Sequence, residues 1–512
     1  MPDYKEQIKQ LLSEPERLLR KKPFFRGYDM NSCARLYPTK VDINETVKVE
    51  LPTIKKRVIH QSEFLKELEP LNHRVLYDQN VPSITMKLDK EQGGGFVEIK
   101  YQKMAVPFQK NIKDKQVQHL CGNKMEFTIV DENPTDQQQQ DFITFKQYWD
   151  LRNQDGMKRK LADAQLSVGD AGLLYYFDQD KQIKSRLISY MDGFVLIPHN
   201  DENGDRIMEA VYYPKDDVEY IDCYDKENLY RFIRDDYAVD TNKYGWRLVE
   251  TKSHGFSEIP LVTKRGDVAW NDGQSVIESY EILYNIFNVI QKRHGWGILY
   301  IKGRFDETGK KIAGSVILND KTAGTDASGN DAKFLTPPSP QGTIDTLQLM
   351  EETIQKATST TFLLPKDVKM TGDISGIAIM LTQSMDIEKG LEHAAEYQNV
   401  ADKMCRLFKE GLAKELVYKK IQPTAITDFE NLKINAKFVV WRPQSETDLV
   451  QRLATGISNG MISKDTAIEK NPDSKPDEKA RLGKQKEKEI ADQERQLEIT
   501  SKYSNKNNDK EE

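Results

Sequence analysis

Phe362-Leu-Leu-Pro-Lys-Asp-Val-Lys-Met-Thr-Gly-Asp373 lies between two helical patterns, residues 346–360 and residues 374–416. Pro365 has no amide proton and Gly372 is conformationally free, so neither suits a helix interior and both punctuate the segment. The stretch reads as a helix, a break and a very long helix, the last running roughly 60 Å at 1.5 Å per residue. A helix of that length exceeds the diameter of a small domain and spans or bridges layers. The break admits two readings, a corner that reverses the chain and a working loop. A third apolar helix, Gln274–His294, precedes them, divided from residue 346 by an excursion rich in Gly, Lys, Thr and Pro. The excursion splits what would otherwise be a hairpin of helices.

That third helix carries Val276, Tyr280, Leu283, Phe287 and Ile290 at alternating steps of four and three, the spacing of one apolar face. Ile277, Ile282, Tyr284, Ile286 and Val289 lie on its other faces. A helix apolar on most sides needs neighbours all round, from its own chain or from other subunits.

The rest of the chain is hydrophilic. At 512 residues it exceeds one ordinary domain, and about two to four are expected. Charged residues at 30% and a mean hydropathy of −0.69 indicate a soluble protein with a large wetted surface. No apolar run reaches the ~18 residues that a span needs. Met1-Pro-Asp-Tyr-Lys-Glu lacks an apolar signal core, so neither an export signal nor a membrane span is expected. Cys33, Cys121, Cys223 and Cys405 are scattered, as suits reduced structural thiols of a cytoplasmic product rather than a disulfide framework or zinc site. A net charge of −6 argues against a general DNA-coating role but not against a protein that DNA slides past.

Along the chain, residues 1–57 read as a polar exposed arm with a basic spot at 17–26, for which a specific binding patch is the alternative. Residues 59–77 form an amphipathic pattern with Phe64, Leu65, Leu68 and Leu71 on its apolar side, and residues 92–95 mark a turn. The pattern predicts a helix over 97–120 with Gly122 as its C-cap, a strand at 125–130, helices at 138–151 and 157–166, and a strand at 173–178. From 184 to 262 it predicts strands at 187–190, 194–197, 206–213, 218–224, 229–233 and 246–250, with hairpin turns at 199–204 and 240–245. The excursion, 297–340, holds candidate strands Ile298–Lys302 and 312–318. Residues 421–431 read as a loop, 434–441 as a strand, and 445–459 and 463–469 as helices capped by Ser445 and Ser463. From residue 474 onward apolar residues are too sparse for a core, and the tail reads as a solvated helix fading into disorder.

Enzyme signatures fail one by one. Gly303 to Lys311 imitates a phosphate loop but has one residue too many between its glycines, and no Ser or Thr follows Gly309-Lys310. His393 and Glu396 sit at helical spacing without a second His, so a solvated helix face is the better reading. His119 and Cys121, two apart at a helix end, make poor geometry for a base and its nucleophile and read as a structural pair. Asp216-Asp217 and Asp235-Asp236 fall in turns, where carboxylates are ordinarily solvated rather than metal-bound. No catalytic residues, metal ligands or cofactors are assigned.

Several patches together resemble the portal proteins of tailed double-stranded DNA bacteriophages, of the siphophage type. Leu120-Cys-Gly-Asn-Lys-Met-Glu-Phe127 is similar to the family's helix ending in a Gly-Asn-Pro-like turn, with Lys124 where proline is common. Val168-Gly-Asp-Ala-Gly-Leu-Leu-Tyr-Tyr176 resembles its Gly-Lys-Ala-like turn and strand. His254-Gly-Phe-Ser-Glu-Ile-Pro-Leu-Val262 followed by Gly273-Gln-Ser-Val-Ile277 resembles its Gly-x-Ile-Pro-Val strand feeding a long helix. Asp373-Ile-Ser-Gly-Ile-Ala378, Val440-Trp-Arg-Pro443 and Gly460-Met-Ile-Ser-Lys-Asp-Thr466 match its long-helix start, its late strand and its Gly-x-Ile-Ser-x-x-Thr helix start. The order and spacing across residues 97–470 make the resemblance specific, while residues 1–57 and the excursion match nothing in the family.

The resemblance implies an α+β subunit of a ring, twelve chains in the virion, around a DNA channel. A mixed α/β wing would comprise 58–272 with the return strand of 419–445, after an N-terminal arm, 1–57. The helical stem would be 273–296 and 341–361, the small α+β clip 297–340, the tunnel loop 362–373 and the long central helix 374–418. Crown helices, 446–473, and a charged tail, 474–512, would complete it. Pro365, Lys366, Lys369, Met370 and Thr371 would then face DNA, and Val276, Tyr280, Leu283, Phe287 and Ile290 would form the stem interface between subunits. Implied partners are further copies of the chain, double-stranded DNA, the terminase motor, a head-tail adaptor, and the major capsid and scaffolding proteins, with no membrane. The implied location is the portal vertex of the virion, after synthesis in the host cytoplasm. A conduit for packaging and ejecting the genome, not an enzyme, is the expected function. A metal-dependent nucleic-acid enzyme and a non-viral ring-forming scaffold are the alternatives, and particle mass separates them.

Overall fold

The computed structural model of the chain describes residues 61–77, 84–88, 95–99, 102–200, 203, 205–216, 218–234, 246–294, 298–302, 331–335, 340–362, 382–442, 446–471, 474, 481–488, 490, 491 and 495. The chain divides into two compact units, residues 1–362 with 385–441, and residues 363–384 with 442–512.

The pattern over 59–77 is not one helix but α1 (Gln61–Leu68), a 3₁₀ turn (Pro70–Asn72) and α2 (Arg74–Tyr77). Pro70 disfavours helical geometry in the residue before it, and Glu69 is accordingly extended (φ −93°, ψ 109°). The turn rotates Leu71 off the apolar side, leaving it 72% exposed while Phe64 is buried. β1 (Ile84–Leu88) then pairs antiparallel with β2 (Gly95–Ile99), Ile84 opposite Ile99, whereas of the turn expected at 92–95 only Gly95, which opens β2, lies among the described residues. Residues 97–99 therefore belong to a strand, and the helix expected from residue 97 begins only at α3 (Phe108–Cys121), directly after Pro107. Proline is at home there because the first turn's N–H groups have no intrahelical partner. β3 (Glu126–Ile129) comes next, then α4 (Asp136–Leu151), opened by a reciprocal capping box between Thr135 and Gln138. α5 (Gln154–Val168) ends at Gly169, whose φ of 82° is the left-handed conformation that terminates helices at low cost for glycine.

The β-strands expected over 184–262 are present, whereas the hairpin turn expected at 240–245 and residues 201, 202 and 204 of the one at 199–204 lie outside the described residues. β4 (Asp170–Phe177) pairs with β5 (Ile183–Ser189), and β6 (Val195–Asn200), β7 (Arg206–Lys215), β8 (Val218–Tyr224), β9 (Asn228–Arg234) and β10 (Trp246–Ser253) form a five-stranded antiparallel sheet in the order β10-β9-β8-β7-β6. β11 (Leu261–Arg265) returns to the far edge of β4 and completes a three-stranded sheet. Period-two alternation sorts the five-stranded sheet into two apolar faces. Ile197, Met208, Ala210, Tyr212, Ile221, Cys223, Phe232 and Trp246 cluster on one, and Leu196, Val211 and Tyr224 meet Ile188 and Leu261 of the smaller sheet, with Ile259 just before β11, on the other.

α6 (Gln274–His294) has the expected bounds. β12 (Ile298–Lys302) pairs with β13 (Asp331–Leu335), whereas the strand expected at 312–318 lies outside the described residues. α7 (Gln341–Thr358) follows, closed by Ser359 in the left-handed region. Of the long helix expected over 374–416, the described part is two helices, α8 (Ser384–Glu396) and α9 (Gln398–Tyr418). Tyr397 between them has φ −87° and ψ 0°, yet its N–H reaches His393 O and its carbonyl accepts from Ala401, so the backbone leaves helical angles at the junction without ending its hydrogen bonding. Residues 421–431, expected as loop, contain α10 (Ala425–Asn431), whose Ala425 and Phe429 are buried. β14 (Ile434–Lys437) then pairs with β3.

α9 is the spine of the main core. Its Met404, Leu407, Phe408 and Leu412 are fully buried among Phe127, Phe145 and Trp149, with ring centroids 4.9–5.7 Å apart and mostly edge-on. Removing one such ring costs about 3–5 kcal/mol. The buried Glu415 at the C-terminal end of α9 takes the Ile183 N–H at 2.9 Å and pairs with Arg152, which ties the helix to β5 and α4. In the second unit, α11 (Glu446–Ser458) and α12 (Lys464–Lys470), the latter capped by Ser463 as expected, border with residues 482–486 an apolar groove of about 600 Å³. The Ser445 cap lies outside the described residues.

Candidate functional site

α6 has one face turned into its own chain. Gln274, Ile277, Glu281, Asn285 and Val289 are buried at near-regular steps of four. Ile277 packs with Phe64, Phe108, Ile112, Trp270 and Ile354, but Glu281 and Asn285 are polar. They serve the extended chain beside the helix: Glu281 Oε1 accepts the Val106 N–H at 2.8 Å, while Asn285 accepts from Met104 N at 2.8 Å and donates to Met104 O at 2.7 Å. His73 stands 2.7 Å from Glu281 Oε1 through Nδ1 and 2.8 Å from the Glu67 carbonyl through Nε2, so both ring nitrogens meet acceptors. Buried polar groups must be paired, and here the helix supplies partners that a neighbouring strand would otherwise provide. Sequence reasoning missed Glu281, Asn285 and His73. The signal was a Glu and an Asn four apart inside an otherwise apolar helix.

The five residues expected on an intersubunit face lie beside or away from that buried line. Val276 and Tyr280 are half-buried against this chain's own cluster, with the Tyr280 ring 5.0 Å from Phe108 and edge-on to it. Leu283 and Phe287 are half-buried and Ile290 is 38% exposed. On the adjoining α7, Leu349 is 61% exposed while Leu347 and Ile354 are buried. The pair of helices thus covers its inner seam and leaves apolar surface at Ile290 and Leu349 open. Its start is tight: a Cβ on Gly273 would lie 2.8 Å from Thr358 Cγ2 on α7.

Pro365, Lys366, Lys369, Met370 and Thr371 lie outside the described residues. The chain leading up to them is firmly held. Gln116 of α3 donates to Thr358 O at 2.9 Å and Thr360 Oγ1 at 3.2 Å, and its carbonyl oxygen is 3.1 Å from His393 Nε2. Phe362 N–H donates to Gln355 Oε1 at 2.9 Å, and its ring packs 5.5 Å from Phe108. Three elements, α3, α7 and α8, therefore meet at the end of α7.

His393 corrects an expectation. It is buried rather than solvated, and burial pulls its pKa down to about 4, so the neutral ring donates from Nε2 to Gln116. Glu396 is exposed and pairs with Lys264. His119 and Cys121 are structural, as expected. His119 Nδ1 is 3.1 Å from Trp441 O, the Trp441 N–H donates to His119 O at 2.7 Å, and burial lowers the imidazole pKa while pushing the Cys121 thiol up to about 12. The same contact explains Gly122, which takes the C-cap position with an ordinary right-handed φ of −67°. Its role is space, since a Cβ there would lie 2.5 Å from Gln118 O and 2.7 Å from Trp441 Cβ. Asp216 is exposed in a turn, whereas Asp217, Asp235 and Asp236 lie outside the described residues.

Among the described residues no three His, Cys, Asp or Glu side chains converge as a metal site needs, and no helix is long and apolar enough to cross a membrane. Cys121, Cys223 and Cys405 are buried and free. The arrangement offers packing surfaces and a pinned chain end rather than a nucleophile with its base. No curated protein matches the chain. A family model described as phage portal protein, SPP1 Gp6-like, matches residues 97–494, well over half of its length.

Proposed function

The chain belongs to the phage portal protein family, SPP1 Gp6-like, and from that membership we propose that its copies close into a ring at one capsid vertex, through which the viral genome is packaged and ejected. A portal protein is a structural component of a bacteriophage, not an enzyme. The family match over 97–494 carries the reading, and the open apolar surface of α6 and α7 supports it. Leu283, Phe287 and Ile290 would be covered by the neighbouring subunit, since a closed ring buries on each copy what a lone chain leaves open.

In this reading residues 58–272 with 419–445 are the wing, α6 and α7 the stem, 297–340 the clip, 446–473 the crown and 474–512 a charged tail. The segment 362–373 forms the narrow part of the channel, with Lys366 and Lys369 toward the passing phosphates. Contacts of that kind are individually weak and screened at cellular salt, so they touch the duplex without holding it. The net charge of −6 per chain keeps the ring repulsive to DNA as a whole. The terminase motor, the head-tail adaptor and the capsid and scaffolding proteins are its proposed partners. Sedimentation of the purified protein together with electron images tests the assembly. A ring of about a dozen subunits, the family's number, is expected, and a monomer or dimer at working concentration would overturn the proposal.

A further inference from the structure

Thr361, three residues past the end of α7, has both main-chain polar groups held by side chains from other elements. Its N–H donates to Asp386 Oδ1 in the first turn of α8 at 3.0 Å, and its carbonyl accepts from Lys115 Nζ of α3 at 2.6 Å. Lys115 Nζ also lies 3.8 Å from Asp386 Oδ2, so the two side chains that hold the peptide groups on either side of the Thr361 Cα are themselves an ion pair. Asp386 is almost fully buried, at 2% side-chain exposure, and Lys115 is about one-third open at 29%. The bond from Thr361 to Asp386 joins points 25 residues apart, on either side of the segment that carries Lys366 and Lys369.

A turn that only needed its hydrogen bonds satisfied could use water, because loops ordinarily run over the surface. A buried carboxylate is justified only if paired, and here its partners are a fixed amide and a lysine from a third element. We propose that Lys115 and Asp386 are positioning residues that fix the point where the chain leaves α7 and couple α3 to the DNA-facing residues beyond it. Neither touches DNA, and both act through the main-chain N–H and carbonyl of Thr361. This rests on the channel reading given above.

The test uses full-length rings. Asp386→Ala removes the acceptor for the Thr361 amide, and Lys115→Met removes the donor to its carbonyl. Lys115→Arg and Asp386→Asn keep a donor and an acceptor in place. Hydrogen exchange at residues 359–362 should speed up about tenfold in Asp386→Ala and less in Lys115→Met, the loss expected for one buried bond, with ring mass unchanged. The two conservative variants should exchange nearly as the parent does. DNA retained per capsid should fall in Lys115→Met and Asp386→Ala and recover in Lys115→Arg. Unchanged exchange, or faster exchange with normal DNA content, overturns the proposal. Lys366→Glu with Lys369→Glu separates the two ideas. If that pair impairs packaging while Lys115→Met and Asp386→Ala do not, only the positioning role falls; if it packages normally, the channel reading itself falls.

Discussion

Burial keeps His393 neutral, and that has a pH signature. Its folded pKa of about 4 lies below the ordinary histidine value, so between those limits the unfolded chain takes up a proton that the folded chain refuses. The stability from the neutral ring is complete above about pH 6.5 and is lost as pH falls toward 4, by up to about 3 kcal/mol. His119, His199 and His254 are lowered in the same direction by burial, so the parent protein should weaken through this window by their combined effect. His393→Gln, whose amide can still donate to Gln116, should flatten part of that dependence in thermal melts between pH 4 and 7. Identical slopes would remove His393 from the account. Gly411 is constrained by space instead: a Cβ there would lie 2.0 Å from Ile183 Cδ1 and 2.9 Å from its Cγ1. Gly411→Ala should destabilise by about 1–3 kcal/mol despite alanine's better helix propensity. Adding Ile183→Val, which deletes the obstructing methyl, should recover much of that loss in denaturant unfolding. Neither constraint is visible in the sequence, because each comes from a side chain more than 200 residues away.

At the scale of elements, α6 carries the clearest test. Glu281 and Asn285 commit one face to its own chain, while Phe287 and Ile290 lie on the side that the lone chain leaves partly open. Phe287→Asp with Ile290→Asp should leave the subunit soluble but unassembled, at several kcal/mol per buried charge in a ring. Rings of unchanged size in sedimentation would sink the stem assignment. The bounds of α6 and the strands of the meander were legible, since strong 3.6- and 2-residue periods mark them. The helix expected over 97–120 was misjudged because residues 97–99 and Pro107 were read through rather than as a strand and a stop. The loop expected over 421–431 hid α10, a helix held by Ala425 and Phe429 in a core that local propensity does not register.

For the molecule as a whole, what matters is how the proposed channel treats DNA. Lys366→Glu with Lys369→Glu should cost little folding stability or ring mass if both lysines are exposed. It should reduce the DNA packaged or retained per capsid, because two cations per subunit along the phosphates become two anions. Packaging at the parental level would leave the segment as a plain turn.

From the sequence alone came the α+β class, the broken pair of helices around residues 297–340, the absence of an enzyme signature and, through scattered motifs in order, the resemblance that the family match over 97–494 bears out. These were readable because hydrophobic period, Pro and Gly punctuation and short motifs are local properties of the chain. The tertiary structure decided that α6 uses a Glu and an Asn to hold the chain at residues 104–106, that His393 is buried, and that Gly122 and Gly411 are needed for space. It also decided that Thr361 is gripped by Lys115 and Asp386. Each of these pairs residues far apart in sequence, and the free energy of burying a charge or an amide depends on which distant group arrives to meet it.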